Sequence, residues 1–319
     1  MEIKVISITL ILLLVTVYSS ASSPIENTNS PKTFLVFGGK TGWFGQKIVQ
    51  TLKEKNHNPV CASSRLENRS DLINEIEKVK PNFIINAAGI TGRPNVDWCE
   101  NHKLETLRTN VLGTLNLVDI AYLHNIPVTN LTTGCIYSYD SAHPLGSGIG
   151  FKEDDEPNFS GSFYSKTKIL LEKLILEYPN VLNLRVKMPV SSDMNPRSFV
   201  GKIISFKRVV NIPNSLSVLD DLFPIAIEMT LRGFRGNYNF ANPGTMSHHE
   251  ALELYKKYID PNFTYQGFSP EEQAKMSQNR SNCELDVSKL LKDFPLIPNI
   301  KTAMIDIFQR AKIESKVRE

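Results

Sequence analysis

From residue 33 onward, short apolar runs alternate with stretches whose apolar residues recur every three or four positions, the signature of strands interleaved with amphipathic helices. Residues 33–37 form the first run, and Ile48, Val49 and Leu52 carry the helical pattern behind it. Runs at 59–62 and 83–86 precede helical stretches at 70–79 and 105–124, and on the second of these Asn110, Leu115 and Val118 fall at helical spacing. A run ending near Thr133 and another at 181–186 flank a helix that begins around Tyr164 and continues through 169–177. Helices are expected at 196–206 and 219–231, a last strand at 237–240, and a helix capped by Ser247 through 258. Regular strand–helix alternation predicts an α/β fold built on a doubly wound parallel sheet. An amide such as Asn110 on an apolar face is expected to bond backbone or water near a site, with a core amide as the plainer reading.

Ahead of this pattern, Lys4 precedes an apolar run at 5–18 followed by Ser19, Ser20 and Ala21, small residues that suit signal-peptidase cleavage. The run is short for a membrane span. A signal peptide is the leading expectation, with an uncleaved anchor or an inert extension as alternatives. Residues 22–32 are rich in Ser, Pro, Asn and Glu and read as linker, so 1–32 stands apart as leader and linker.

Length and composition exclude several classes. The 319 residues, 41% of them hydrophobic, suit one large domain or one and a half. Thirty-six basic and 33 acidic residues are spread without a stripe, which argues against nucleic acid or anionic lipid as partner. Cys61, Cys99, Cys135 and Cys283 include no C-x-x-C pair, so no metal site is expected and all four read as free thiols.

Chemistry first enters after the first strand. Gly39, Gly42 and Gly45 give G-x-x-G-x-x-G spacing around Thr41, Trp43 and Phe44, between a strand and a helix. In that context glycines permit a tight turn and close backbone approach to a pyrophosphate, which the helix N-terminus attracts; the sheet is therefore expected to be Rossmann-type. After the second strand come Ser63, Ser64 and Arg65, with no acid to accept ribose hydroxyls. Arg65 suits a 2'-phosphate instead, favouring NADPH over NADH, although a solvated loop charge is the bland alternative. Asn86, Ala87, Ala88 and Gly89, small after the third strand, would let a cofactor lie against backbone.

Tyr164 and Lys168, four apart on one helix face, place an ammonium beside a phenol and are expected to favour its ionised form. Thr133, ending a neighbouring strand, could hold the same substrate oxygen, a group suited to ketone reduction.

These residues together resemble an extended short-chain dehydrogenase/reductase. The strings TGWFG, RLENR, NAAGITGRPNVDWCE, TGCIY, HPLGSGIGFKE, PNFSGSFYSKTK, VNIPNS and IDPNFT are similar to the bifunctional nucleotide-4-keto-6-deoxyglucose 3,5-epimerase/4-reductases of UDP-rhamnose synthesis, relatives of dTDP-4-dehydrorhamnose reductase. The similarity runs from 33 to about 307. It implies an NADP-binding core at 33–186 and a small C-terminal part at 187–319, mainly sugar-nucleotide-binding, with a core strand returning near 237–240. It also implies Cys135 and Lys202 as the acid–base pair for inversion at sugar positions 3 and 5. Tyr164 and Thr133 would hold the ketone oxygen, and Lys168 and Met188 would line the nicotinamide side with Asn110. Thr91, Gly92, Arg93, Cys135, Asn211 and Arg280 would meet the substrate, a UDP- or dTDP-sugar. A homodimer and coupling to a sugar 4,6-dehydratase are further partners to test, and cytosolic location is implied, with the secretory pathway as the leader's alternative. Gly134 and Cys135 stand where sugar 4,6-dehydratases carry acids, which disfavours water elimination. A reductase without epimerase activity, or a silent NADP-binding subunit, are the competing readings; an intact Tyr164 and Lys168 argue against the second.

Overall fold

A computed structural model describes residues 30–318 apart from Pro94 and Gln278. The apolar leader at 5–18 lies outside the described residues, and no described helix is long and apolar enough to cross a membrane.

The first half alternates as the pattern predicts: β1 (Thr33–Phe37), α1 (Trp43–Glu54), β2 (Asn58–Cys61), α2 (Arg69–Val79) and β3 (Phe83–Asn86). The helix expected at 105–124 is longer and interrupted. A short α3 (Trp98–Asn101) leads to α4 (Lys103–Leu107), a π-helical turn (Arg108–Gly113) and α5 (Thr114–Leu123). Periodicity cannot register one extra residue per turn, and such turns often mark functional sites. Next come β4 (Val128–Thr133), α6 (Phe163–Ile175), β5 (Val181–Val186), β6 (Pro189–Val190) and α7 (Phe199–Ile203), shorter than the helix expected at 196–206. The chain continues through β7 (Arg208–Val209), β8 (Ser217–Val218), α8 (Leu219–Leu231), β9 (Gly236–Phe240) and α9 (His248–Tyr258). Ser247 caps α9 through a reciprocal capping box with Glu250.

Six parallel strands form one sheet in the order β2-β1-β3-β4-β5-β9. The chain reverses direction across the sheet between β1 and β3, and doubly wound sheets bind ligands at the carboxyl ends of such strands. Alternate residues of β1 feed two cores. Phe34 and Val36 pack toward α1 and α8, while Leu35 and Phe37 pack toward α2 and α5. Helix α8 thus joins β9 in returning the second half of the chain to the main core.

A row of amides crosses this sheet. Asn86, Asn130, Asn183 and Asn237 sit opposite one another in register on four strands. Asn86 donates to Asn130 (2.9 Å), Asn130 to Asn183 (2.8 Å) and Asn183 to Asn237 (2.7 Å). Buried Glu172 of α6 closes the row, accepting from Asn183, Asn237 and the buried Arg185 of β5. Because a one-residue slip would strand every amide in apolar surroundings, the row fixes strand register. Asn130, which begins an N-x-T sequon, is buried inside it.

Replacing Arg185 with Met would leave the Glu172 carboxylate buried without its cation. We expect a loss of about 3–5 kcal/mol in urea unfolding, the range for a half-removed buried ion pair.

Candidate active site

The glycine turn is built around one carbonyl. Gly38, at φ +81°, turns the chain out of β1, and its oxygen accepts from Gly42 N at 2.9 Å. A Cβ on Gly42 would lie 2.7 Å from that oxygen, and one on Gly45 would collide with it outright. Gly42 caps α1 without a side-chain bond, and no acid stands in the first turn, so the helix presents backbone N–H groups and positive dipole to the cleft. These features fit a dinucleotide pyrophosphate. Two residues expected at the cofactor turn their side chains into the protein. Trp43 is buried in the core with its indole N–H on Asp193 (3.2 Å), and Phe44 packs edge-on against Phe223. Thr41 is exposed and its carbonyl accepts from Arg197, while Gly39 packs toward Cys61 and Val49.

The absence of an acid after β2 does not survive folding. Glu75, from α2, brings its carboxylate to Ser63 and Ser64, accepting from both backbone N–H groups and both hydroxyls. Those bonds outweigh burial and lower its value. Arg65 is exposed at the edge of an open depression of about 790 Å³ shared with Arg69, Ile90 and Arg108. Asn86, expected to meet the cofactor, is turned into the amide row, and its oxygen accepts from Ala88 N. It shapes the Ala87–Gly89 turn from below. Asn110, on the π-helical turn, clamps the next peptide at both ends, accepting from Ile90 N (2.8 Å) and donating to Ile90 O (2.9 Å).

The catalytic candidates converge at the end of β4. Ser162 caps α6, and Ser165 reaches back to donate to Cys135 O at 2.7 Å, tying the start of the helix to the turn after the strand. Thr133 accepts from Cys135 N at 3.0 Å and acts on Tyr164 to hold its value down. Lys168 Nζ lies 5.9 Å from the centre of the Tyr164 ring, and a Cβ on Gly89 would be 3.6 Å from that nitrogen. The amine therefore sits between the phenol and the loop after β3. The expected ionisation of Tyr164 is not what this arrangement produces. Burial raises its value well above the ordinary phenol, the Cys135 thiol adds to the rise, and only the Thr133 bond opposes. In a dry site the cost of a phenolate exceeds the help of a neighbouring amine. Lys168 itself is pulled down to about 8 by burial, against a small opposing pull from Cys99.

Cys135, half-buried, and Tyr164 line one cleft of about 270 Å³ with Met188 and Ser281. Met188 holds φ +38°, a left-handed conformation uncommon for a side chain of its kind and often found at functional sites. Lys202, on α7, is exposed overall and does not line this cleft, yet partial burial lowers its value while Cys135 pulls the other way. The far wall of the cleft is apolar, with Phe206, Val210, Ile212 and Phe268. Asn211 is exposed between two of these residues and binds Gln273 through its backbone. Thr91 and Arg93 are likewise exposed, around a Gly92 whose φ of +73° and contacts with Asn95 and Trp98 exclude a side chain; Val96 reaches the cleft from this loop. Arg280 lies at the cleft, held by Asp97 in a bidentate pair at 2.7 Å.

Two cleft features were not anticipated from sequence. His248, at the start of α9, lines the cavity with an unpartnered Nδ1, and burial followed by His249 lowers it to about 4, so it is neutral. Lys187, directly after β5, is fully buried and donates to Ser281. A basic residue directly after a central parallel strand is the signal that could have found it, since such strands are buried on both faces.

Residues 35–209 match the model of the NAD dependent epimerase/dehydratase family. The chain is 53% identical over 281 residues to a bifunctional dTDP-4-dehydrorhamnose 3,5-epimerase/dTDP-4-dehydrorhamnose reductase of Arabidopsis thaliana, covering 88% of this chain and 93% of that protein. It is also 53% identical over 274 residues to an Arabidopsis thaliana trifunctional UDP-glucose 4,6-dehydratase/UDP-4-keto-6-deoxy-D-glucose 3,5-epimerase/UDP-4-keto-L-rhamnose-reductase, spanning 85% of this chain but only 41% of that longer protein. Among solved structures, the L780 UDP-rhamnose synthase of Acanthamoeba polyphaga mimivirus is similar with a TM-score of 0.83 and 35% identity, covering 88% of this chain and all of that one.

Lys168 gives this site a measurable cost. Its folded value of about 8 lies below the ordinary 10.5, so the penalty of burying the ammonium is fully present below about pH 8 and fades as pH rises toward 10.5. Lys168→Met should therefore raise urea stability by roughly 2–3 kcal/mol near neutral pH, with the gain shrinking in alkali, while ketone reduction is lost.

Proposed function

The chain belongs to the NAD dependent epimerase/dehydratase family, and from that premise we propose that it converts a nucleotide-4-keto-6-deoxyglucose to the corresponding nucleotide-rhamnose. It inverts sugar positions 3 and 5 and reduces the ketone at position 4. The observation that carries this reading is a thiol and a phenol, from Cys135 and Tyr164, lining one cleft, with the Thr133 hydroxyl bonded to the Cys135 backbone behind them.

In the gluco configuration the hydrogens at positions 3 and 5 lie on the same ring face, and the ketone between them acidifies both. One base on that face and one acid on the other can therefore invert both centres. Cys135 and Lys202 supply the two groups. Tyr164 and Thr133 hold the oxygen on which negative charge develops, and the elevated value of Tyr164 keeps its proton available until reduction. Bound NADPH supplies the hydride. The Gly39–Gly45 turn and the α1 N-terminus would hold its pyrophosphate, Arg65 its 2'-phosphate, and Ala87 to Gly89 with Lys168 and Asn110 its nicotinamide side; NADH would forgo the Arg65 contact. The apolar wall with Arg280 would receive the nucleotide, UDP in preference to dTDP. A homodimer would use the exposed Leu104, Leu112, Leu170 and Leu174 on α4, the π-helical turn and α6. The keto-sugar would come from a 4,6-dehydratase, and the cytosol supplies both reactants.

Purified protein given UDP-4-keto-6-deoxyglucose should consume NADPH in preference to NADH and yield UDP-rhamnose. Binding of NADPH without turnover would leave a binding module instead. Cys135→Ala should abolish incorporation of solvent deuterium at positions 3 and 5 while reduction of a ketone already epimerised persists. Reduction without exchange in the unaltered protein would mark a reductase alone.

A further inference from the structure

At the end of β2 a side chain of the protein stands where a ligand group would be expected. Ser63 and Ser64 come just after that strand, the place where a doubly wound fold meets the adenosine ribose of a dinucleotide. Each serine has two donors, a backbone N–H and a hydroxyl. All four converge on one carboxylate. Glu75 Oε1 accepts from Ser63 N and Ser63 Oγ, both at 2.7 Å, while Oε2 accepts from Ser64 N at 2.9 Å and Ser64 Oγ at 2.5 Å. Successive N–H and O–H donors closing on anionic oxygens are the arrangement that binds phosphate, and here the anion belongs to the chain itself.

Neither side of this contact has anything to spare. An ionised carboxylate offers about four lone-pair positions, and the four donors use them. Glu75 therefore has none for a ribose hydroxyl, unlike the acid that selects NADH by accepting from the ribose. The serines have no donor left for a 2'-phosphate, and a negative charge stands beside them. Burial would raise the Glu75 carboxyl, but the serine bonds outweigh it and hold it below its usual value, so the charge is present near neutral pH. Glu75 is half-buried on α2, a helix that Leu72 and Ile76 fix in the core, so the carboxylate is delivered by a packed element.

The residue after the serines is different. Arg65 is exposed at the rim of the depression of about 790 Å³. Of the other groups lining it, Glu67 and Glu105 are acidic and Arg69 is engaged by Asp119. Arg65, adjoining the serines in the chain, is the cation on hand for a phosphate there.

We propose that Glu75 is a specificity-determining residue: its carboxylate occupies the Ser63–Ser64 nest in place of the 2'-phosphate of NADPH, which leaves Arg65 to distinguish NADPH from NADH and keeps that distinction smaller than the turn could provide. The assignment rests on the cofactor reading above and names the residues that set its selectivity. Glu75→Gln keeps the shape of the side chain but removes its charge and turns one acceptor oxygen into an amide that only donates. The N–H of one serine then loses its acceptor and is free for a ligand oxygen.

Calorimetric titration of the whole chain with NADPH and NADH reads this directly, without turnover, and adenosine 2',5'-bisphosphate against AMP isolates the phosphate. The ratio of NADPH to NADH affinity should rise about tenfold in Glu75→Gln, the worth of one charge-assisted hydrogen bond, and the bisphosphate should gain over AMP by a similar factor. An unchanged or lower ratio in the folded variant overturns the proposal, since a glutamate that merely held Arg65 in place would lower it. Arg65→Ala, at an exposed position, gives a second reading should the first variant not fold. Its ratio should fall about tenfold, because the occupied serines cannot replace the arginine, and an unchanged ratio overturns the proposal as well. Adding Glu75→Gln to Arg65→Ala should recover most of the lost preference, as the opened nest then holds the phosphate. If the unaltered protein binds neither dinucleotide, the cofactor reading fails and the proposal with it. If the dinucleotides bind but the keto-sugar is not turned over, the functional reading fails while the role of Glu75 still stands or falls on the ratios.

Discussion

The structure depends on how one helix is anchored. Helix α6 carries both Tyr164 and Lys168, and it is fastened to the sheet at two points. Near its start, Ser165 bonds Cys135 O at 2.7 Å; a turn beyond Lys168, Glu172 lies buried among Arg185, Asn183 and Asn237. A buried carboxylate tolerates this only when its cation and its lone pairs are all satisfied, so the helix cannot slide or rotate without stranding a charge. The amide row extends the same constraint across four strands to Asn86, whose oxygen sets the turn at Ala88. Phenol, amine and cofactor loop are thereby placed by one connected set of hydrogen bonds, although they come from distant parts of the chain.

Dryness then sets the chemistry. Burial moves Tyr164 up and Lys168 down, both toward the neutral form, which is the direction desolvation imposes on acids and bases alike. A phenol that keeps its proton is a donor waiting for negative charge to form on the ketone oxygen. Lys187 moves the other way because its surroundings are acceptors and thiols rather than hydrocarbon. Two lysines buried within one site thus differ in character through their partners alone.

The doubly wound parallel sheet and the glycine turn were legible because they are written in local pattern: β1 and Gly39, Gly42 and Gly45 declare themselves within a dozen residues. The Tyr164–Lys168 spacing was legible for the same reason, but the state of the phenol was not, since helical spacing reports proximity and says nothing of desolvation. What stayed hidden arises from contacts distant in sequence. Glu75 reaches Ser63 and Ser64 from the far side of a turn, supplying the acid that the end of β2 lacks. Trp43 looked like a cofactor residue from its place in the glycine turn, yet α1 points it into the core, where Asp193, 150 residues away, receives its N–H. Arg280 could be assigned to the cleft by resemblance, but its bidentate partner Asp97 could not.

Housing two reactions at one carbonyl imposes a requirement that neither reaction imposes alone. Epimerisation needs a group that accepts a proton from carbon, while reduction needs a group that still holds one for oxygen, and both must face the same small volume. Were the acceptor to take its proton from Tyr164, the reductive step would lose its donor. Burial guards against this, because it raises the cost of a phenolate, and Cys135 acts on Tyr164 in the same direction. Lys168, on the phenol's own helix, is itself weakened by burial toward its neutral form, so it does little to favour the phenolate. Desolvation therefore keeps the proton on the phenol oxygen, which lets one cleft run an acid–base exchange and a reduction in succession.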